Sequence, residues 1–90
     1  MNHHVNKSDD KSTPTLLAGI LYMMARHGFE AELKPDQFHM DLILGHIQPI
    51  PSEIIRMLRE NGFEYCFYDK GTYTDADGAK RYRSLFRRLH

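Results

Sequence analysis

A short phrase that occurs twice sets the narrowest limits on the fold of this chain. ARHGFEAEL covers residues 25–33, and LRENGFEYCF covers residues 58–67. In each copy a helical pattern ends at a glycine, a residue that readily adopts the positive φ that closes a helix. A Gly-Phe-Glu step then leads into an extended run. The chain is therefore expected to contain two helix–strand joins of the same kind.

The first join follows a helix predicted at residues 14–27. Thr13 is a suitable N-cap, and Pro14 fits the first helical position, where a missing N–H has no consequence. The next segment, FEAEL at residues 29–33, alternates apolar and charged residues, which indicates a half-buried strand. Residues 1–12 are polar and are expected to form a disordered tail, leaving residues 13–90 as one small α+β domain.

The second join follows a helix predicted at residues 52–61. FEYCFY is rich in β-prone residues and predicts a strand. The loop DKG at residues 69–71 is expected to turn this strand into a hairpin with TYT. A last helix is predicted at residues 76–89 because its apolar residues recur at the helical spacing i, i+3, i+4, i+7. These residues are Tyr82, Leu85, Phe86 and Leu89.

The segment FHMDLIL at residues 38–44 fits either a helix or a strand, and periodicity cannot decide for so short a run. If it is a helix, the order of elements is helix-strand-helix-helix-hairpin-helix. With that order, LGHIQPIPSEIIRMLRENGF and YTDADGAKRY resemble the winged helix-turn-helix family over residues 14–74. The resemblance implies a DNA-binding transcriptional regulator with a recognition helix and a wing. The two prolines before the recognition helix depart from the tight turn usual in that family.

If residues 38–44 form a strand, they pair with residues 29–33. The chain then reads as helix-hairpin-helix-hairpin-helix, with a four-stranded antiparallel sheet. Both folds remain open from the sequence.

An excess of positive charge is concentrated at the C-terminal end of the sequence. The net charge is zero, yet residues 79–90 contain five basic residues and no acidic one. A basic helical face of this density can contact DNA phosphates. We therefore predict a nucleic-acid-binding site for double-stranded DNA on the recognition helix, the hairpin tip and the last helix, in a protein that pairs as a homodimer. Its residues are Ser52, Arg56, Arg59, Lys70, Lys80, Arg81, Arg83, Arg87 and Arg88.

Other features favour a different function. Glu53 and Glu60 share the exposed face of helix 52–61 with Arg56 and Arg59, so these charges can pair with one another and would repel a phosphate backbone. The alternative is a non-enzymatic protein-interaction or inhibitor module, for example from a mobile genetic element, with an acidic protein partner. The basic C-terminal segment would then be its docking surface.

Several classes of protein are not expected. His39, Asp41 and His46 lack the spacing of a metal site, and we expect no metal and no cofactor. The sequence has neither a nucleotide-binding motif nor a nucleophile that we can place beside a base, so we expect no enzyme. The single cysteine, Cys66, excludes an internal disulfide. Without an apolar run long enough to span a membrane, a cytoplasmic protein is expected.

Overall fold

A computed structural model of the chain describes residues 4–89, with the side chains of residues 15–66 and 71–89. Two helices and four strands follow one another along this part of the chain. They are α1 (His4–Arg26), β1 (Glu30–Pro35), β2 (His39–His46), α2 (Ser52–Glu60), β3 (Glu64–Thr74) and β4 (Lys80–Leu89). The described part of the chain therefore runs through the order αββ twice.

The four strands form one antiparallel sheet in the order β1-β2-β4-β3. The central pair is β2 and β4, in which Leu42 lies opposite Phe86 and Asp41 lies opposite Arg87. The edges are β1, which is short and ends at Pro35, and β3, whose pairing with β4 shifts register twice. Such shifts mark bulges, which bend a strand.

The repeated phrase occupies the same place in each half of the fold. Gly28 and Gly62 close the two helices with φ of 87° and 89°. The next amide in each copy donates back to the helix, from Phe29 to Met24 at 2.9 Å and from Phe63 to Leu58 at 2.8 Å. This backbone pattern requires the left-handed conformation that glycine adopts without strain.

Both helices pack on one face of the sheet. The core joins Ile20 and Met24 of α1 and Ile54 and Leu58 of α2 to apolar side chains of the sheet and its joins. These are Leu42, Leu44, Phe63 and Phe86, all fully buried. Each such side chain contributes roughly 1.5–3 kcal/mol through burial. Because side chains alternate across a strand, their neighbours in β2 and β4 lie on the opposite face, called the open face below.

The predicted helix at residues 76–89 is wrong, because this segment is strand β4. Its apolar residues fit a helical period because of the position of β4 inside the sheet. β4 is a central strand, and three consecutive residues, Ser84, Leu85 and Phe86, are buried although they alternate between the two faces of the sheet. Alternation is lost in strands buried on both sides.

Both predicted fold classes are therefore wrong as a whole. The winged helix fails because residues 39–44 lie in strand β2, and the helix-hairpin-helix-hairpin-helix fold fails because its last helix is absent from the described residues. One part of the second fold is confirmed, since β1 and β2 form the predicted antiparallel hairpin. The helix predicted at 52–61 is also observed, as α2.

Two local predictions need correction as well. The turn of the second hairpin is not at residues 69–71, which lie inside β3, but at residues 75–79, where Gly78 has a φ of 85°. Helix α1 begins at His4, well before the predicted start at Pro14, so it extends through most of the predicted tail. Residues 1–3 and His90 lie outside the described part. Within that part, no helix is long and apolar enough to cross a membrane.

Candidate functional site

The fold separates the basic residues that the sequence suggested as one surface. In β4, Arg81, Arg83 and Arg87 alternate with the core residue Phe86 and lie on the open face, while Lys80 and Arg88 share the side of Phe86. Ser52, Arg56 and Arg59 are exposed on α2, and the side chain of Lys70 lies outside the described residues. The predicted DNA-binding set is thus distributed over two faces of the sheet and a helix.

Arg81 is held by the chain's own acceptors. Its Nε donates to Asp75 Oδ2 at 2.6 Å, and its Nη1 donates to the carbonyl oxygens of Gly28 and Gly45, each at 3.0 Å. Its side chain is 13 % exposed, and that of Asp75 is 2 % exposed. Arg81 therefore joins the turn of the second hairpin to the α1–β1 join and to the end of β2.

Asp75 organises the turn between β3 and β4. Its Oδ1 accepts the backbone amides of Asp77 and Ala79, both at 2.9 Å. The hydrogen bond from the Arg81 guanidinium, followed by that from the Ala79 amide, lowers the pKa of this carboxyl below its usual 3.8. Residues 75–79, where the predicted last helix was expected to begin, therefore form an aspartate-stabilised turn.

Arg87 is engaged in a second ion pair on the open face. Its Nε and Nη2 reach the two oxygens of Asp41 at 2.7 and 3.1 Å, a two-point contact that fits the planar guanidinium. His39 Nε2 lies 3.6 Å from Asp41 Oδ1 and 3.3 Å from Asp36 Oδ2. The fork that Arg87 would offer to a phosphate is therefore occupied by Asp41.

Tyr73 connects the two edge strands across the open face. Its hydroxyl donates to Glu30 Oε1 on β1, and its ring lies against Gly45, where a Cβ would overlap the phenol. The Arg83 guanidinium stacks on this ring at 4.3 Å from its centroid. Burial, and then the hydrogen bond to Glu30, raise the pKa of Tyr73 to about 12.

The other side of the sheet carries an open groove of about 680 Å³. It lies between the β2–α2 loop, α2 and the second hairpin, and most of its lining is apolar. Two large apolar side chains of the lining are well exposed, Ile47 at 48 % and Tyr82 at 45 %. The remaining lining residues are His46, Pro49, Ile50, Ile55, Tyr65, Arg83 and Ser84. Exposed aliphatic and aromatic side chains around a concavity are typical of binding sites.

A buried polar pair lies in the lining of the groove. His46 Nε2 is 2.9 Å from Ser84 Oγ, and His46 Nδ1 is 2.9 Å from the backbone carbonyl oxygen of Gln48. His46 and Ser84 are 8 % and 7 % exposed. Because a carbonyl oxygen only accepts, Nδ1 of the neutral ring carries the proton, and Nε2 accepts the hydrogen bond from the Ser84 hydroxyl.

The sequence did not predict this pair. His46 drew attention only as a distant companion of His39, and Ser84 was assigned to a helix. The two residues are far apart in the chain, and the antiparallel pairing of Leu44 with Ser84 and of His46 with Tyr82 brings them together. Only a correct assignment of β4 could have indicated the contact.

Similarity to known proteins assigns no role to this site. Among the described residues, no group of three His, Cys, Asp or Glu side chains is placed to hold a metal ion. The chain matches no protein-family model, no curated protein and no solved structure.

Proposed function

We propose that the chain is a protein-interaction module whose groove binds a short segment of a partner protein. This segment carries an apolar side chain that enters the groove and an acidic residue beside it. The observation that carries this proposal is the open groove of about 680 Å³ with Ile47 and Tyr82 exposed beside it. A groove of this size accommodates one or two large side chains, and such anchors dominate the affinity of protein interfaces.

The charge around the groove favours an acidic flank. None of the described lining residues is a carboxylate. Lys80 is exposed, with its Nζ 5.7 Å from the centroid of the Tyr82 ring. A carboxylate of the partner beside Tyr82 would meet this ammonium group and no lining acid. Charge complementarity of this kind selects partners and accelerates association.

The proposal is tested with peptides displayed on phage and selected against the folded domain. We expect enrichment of peptides that combine an aliphatic or aromatic residue with Asp or Glu. A selected peptide, labelled with a fluorophore, is then titrated by anisotropy. Tyr82→Ala should weaken binding by about tenfold or more, as is usual for a central aromatic contact.

A matched control uses another exposed apolar residue of the same strand. Leu89 is 74 % exposed at the far end of β4 and does not line the groove, so Leu89→Ala should leave the affinity unchanged. Lys80→Glu should lower the affinity for peptides with acidic residues more than the affinity for neutral peptides. The proposal is wrong if no peptide is enriched, or if the enriched peptides bind Tyr82→Ala and the unmodified domain equally well.

Binding to duplex DNA stays a second proposal, now with a different basis. Arg56 and Arg59 are exposed on α2, and neither forms the predicted pairs with Glu53 and Glu60 among the ion pairs of the described residues. These two guanidinium groups are therefore available to phosphates. Anisotropy of a labelled random duplex at low salt tests this, and Arg56→Ala with Arg59→Ala should abolish any binding. Absence of binding at low salt would rule it out.

A further inference from the structure

We propose that Ser84 is a nucleophile activated by His46, and that the groove presents to it an acyl group from an ester or a related activated carbonyl compound. This inference is independent of the partner segment proposed above. It starts from the buried pair in the groove lining, in which a hydroxyl, an imidazole and a carbonyl oxygen form a chain of two hydrogen bonds, each 2.9 Å long.

The hydrogen bonds fix the direction in which a proton can move. The Gln48 carbonyl holds the proton of His46 on Nδ1, so Nε2 presents its lone pair to Ser84 Oγ. This is the arrangement in which a base removes the proton of a hydroxyl as that hydroxyl attacks. A nucleophile within hydrogen-bond reach of a base that a third group orients is the general signature of covalent catalysis.

The position of Ser84 matches this role. Ser84 and His46 both line the groove, together with Ile50, Ile55 and Tyr65. An aliphatic or aromatic acyl group can lie against these three side chains with its carbonyl carbon at Ser84. The surrounding burial removes water that would compete for the imidazole, which strengthens the hydrogen bond between the pair.

The reaction is balanced by groups already present. Ser84 Oγ forms a bond to the carbonyl carbon, and its proton passes to His46 Nε2. The bond from that carbon to the leaving oxygen breaks, and the leaving alkoxide takes the proton from His46. Water then repeats the same steps on the acyl-serine and restores the hydroxyl. No oxidant, reductant or metal is required.

An alkyl fluorophosphonate tests the proposal because it reacts with activated serine hydroxyls. Its phosphorus forms a bond to Oγ and releases fluoride, while the proton remains on His46. After incubation with the unmodified protein, peptide mass spectrometry identifies the modified residue and its rate of formation. We expect the adduct on Ser84, although this residue is only 7 % exposed.

The exposed hydroxyl of Ser52 is the internal control, since accessibility alone would favour it. Ser84→Ala should remove the adduct, and His46→Gln should slow it by about 100-fold or more, the usual contribution of a general base. Ser52→Ala should leave the rate on Ser84 unchanged. Faster modification of Ser52 than of Ser84 in the unmodified protein would overturn the proposal, and this comparison does not depend on a variant that folds. An unchanged rate in folded His46→Gln would also overturn it.

Discussion

At the scale of single residues, Asp75 and Arg81 determine how the second hairpin meets the rest of the domain. One guanidinium reaches the turn of that hairpin, the α1–β1 join and the end of β2. The sequence marked Arg81 as a phosphate ligand because residues 79–90 are so basic. It could not show the acceptors, since Gly28 and Gly45 contribute backbone oxygens that have no signature in the residue type.

We expect Arg81→Lys to destabilise the domain even though the charge is kept. A lysine has one ammonium group and cannot reach acceptors in three directions, so at least one of the backbone oxygens of Gly28 and Gly45 loses its donor. The midpoint of urea denaturation should fall clearly below that of Arg88→Lys, the matched change of another arginine of β4. Equal midpoints would contradict the role given to Arg81.

The lowered pKa of Asp75 predicts how stability depends on pH. Because the folded pKa lies below the unfolded value of 3.8, the stabilising contribution is complete above that value and is lost as the pH falls through the folded pKa. Urea midpoints measured between pH 7 and pH 2 should therefore drop steeply at the acid end. In Asp75→Asn the urea midpoint at pH 7 should be lower than in the unmodified protein, and it should decrease less between pH 7 and pH 2.

The raised pKa of Tyr73 acts at the opposite end of the pH range. Its contribution is complete below the unfolded value of 10.0 and is lost as the pH rises through about 12. Titration of tyrosinate absorbance should contain one component near pH 12 that is absent from Tyr73→Phe. In Glu30→Gln that component should move toward lower pH, because a carboxylate that opposes ionisation is gone. A Tyr73→Phe curve identical to that of the unmodified protein would exclude this assignment.

At the scale of elements, the sequence predicted what local chemistry decides. The two Gly-Phe joins and helix α2 depend on residues close together in the chain, whereas the β1–β2 hairpin was only one of two alternatives for residues 38–44. Strand β4 was assigned wrongly because part of its environment comes from β2, which lies far away in the sequence on the other side of α2. An apolar pattern that follows burial on both faces does not distinguish a strand from a helix.

Two glycine substitutions separate packing from backbone freedom. A Cβ at Gly45 would meet the Tyr73 ring, with Cζ only 2.9 Å away, whereas nothing lies within 4 Å of a Cβ at Gly19 in α1. Gly45→Ala should lower the free energy of unfolding by about 1–3 kcal/mol through overpacking. Gly19→Ala should raise it by roughly 0.5–1 kcal/mol, the usual gain in a helix interior. Urea denaturation of both variants checks the pair, and a loss of stability in Gly19→Ala would count against the placement of α1.

At the scale of the whole molecule, the repeated phrase predicted a real regularity. Glu30 lies opposite Gly45 in the first hairpin, and Glu64, at the same place in the second copy, lies opposite Arg87. The two αββ halves meet through β2 and β4 and share one core. The groove and its His46–Ser84 pair arise only at this scale, from loops and strands of both halves. The sequence therefore had no local signal for them.

Because the core is shared, the two halves should unfold together. Phe86 is fully buried in β4 and belongs to the core cluster formed with both helices. Phe86→Ala should lower the free energy of unfolding by about 3–5 kcal/mol. During denaturation, the native circular dichroism and one-dimensional NMR signals of both halves should disappear in one transition. Phe38→Ala, at a side chain 68 % exposed, is the control and should leave the midpoint nearly unchanged. Persistence of one half after the other unfolds would contradict a single cooperative core.

The two outer strands of the sheet have a consequence for behaviour in concentrated solution. On one side, β1 carries Glu30, Glu32 and Lys34 and ends at Pro35, which has no amide hydrogen to offer. On the other, the two register shifts interrupt the regular row of amides and carbonyls in β3. Neither rim is a good template for a further strand. Growth of the sheet from molecule to molecule is therefore disfavoured, and crowded preparations should resist forming fibrils.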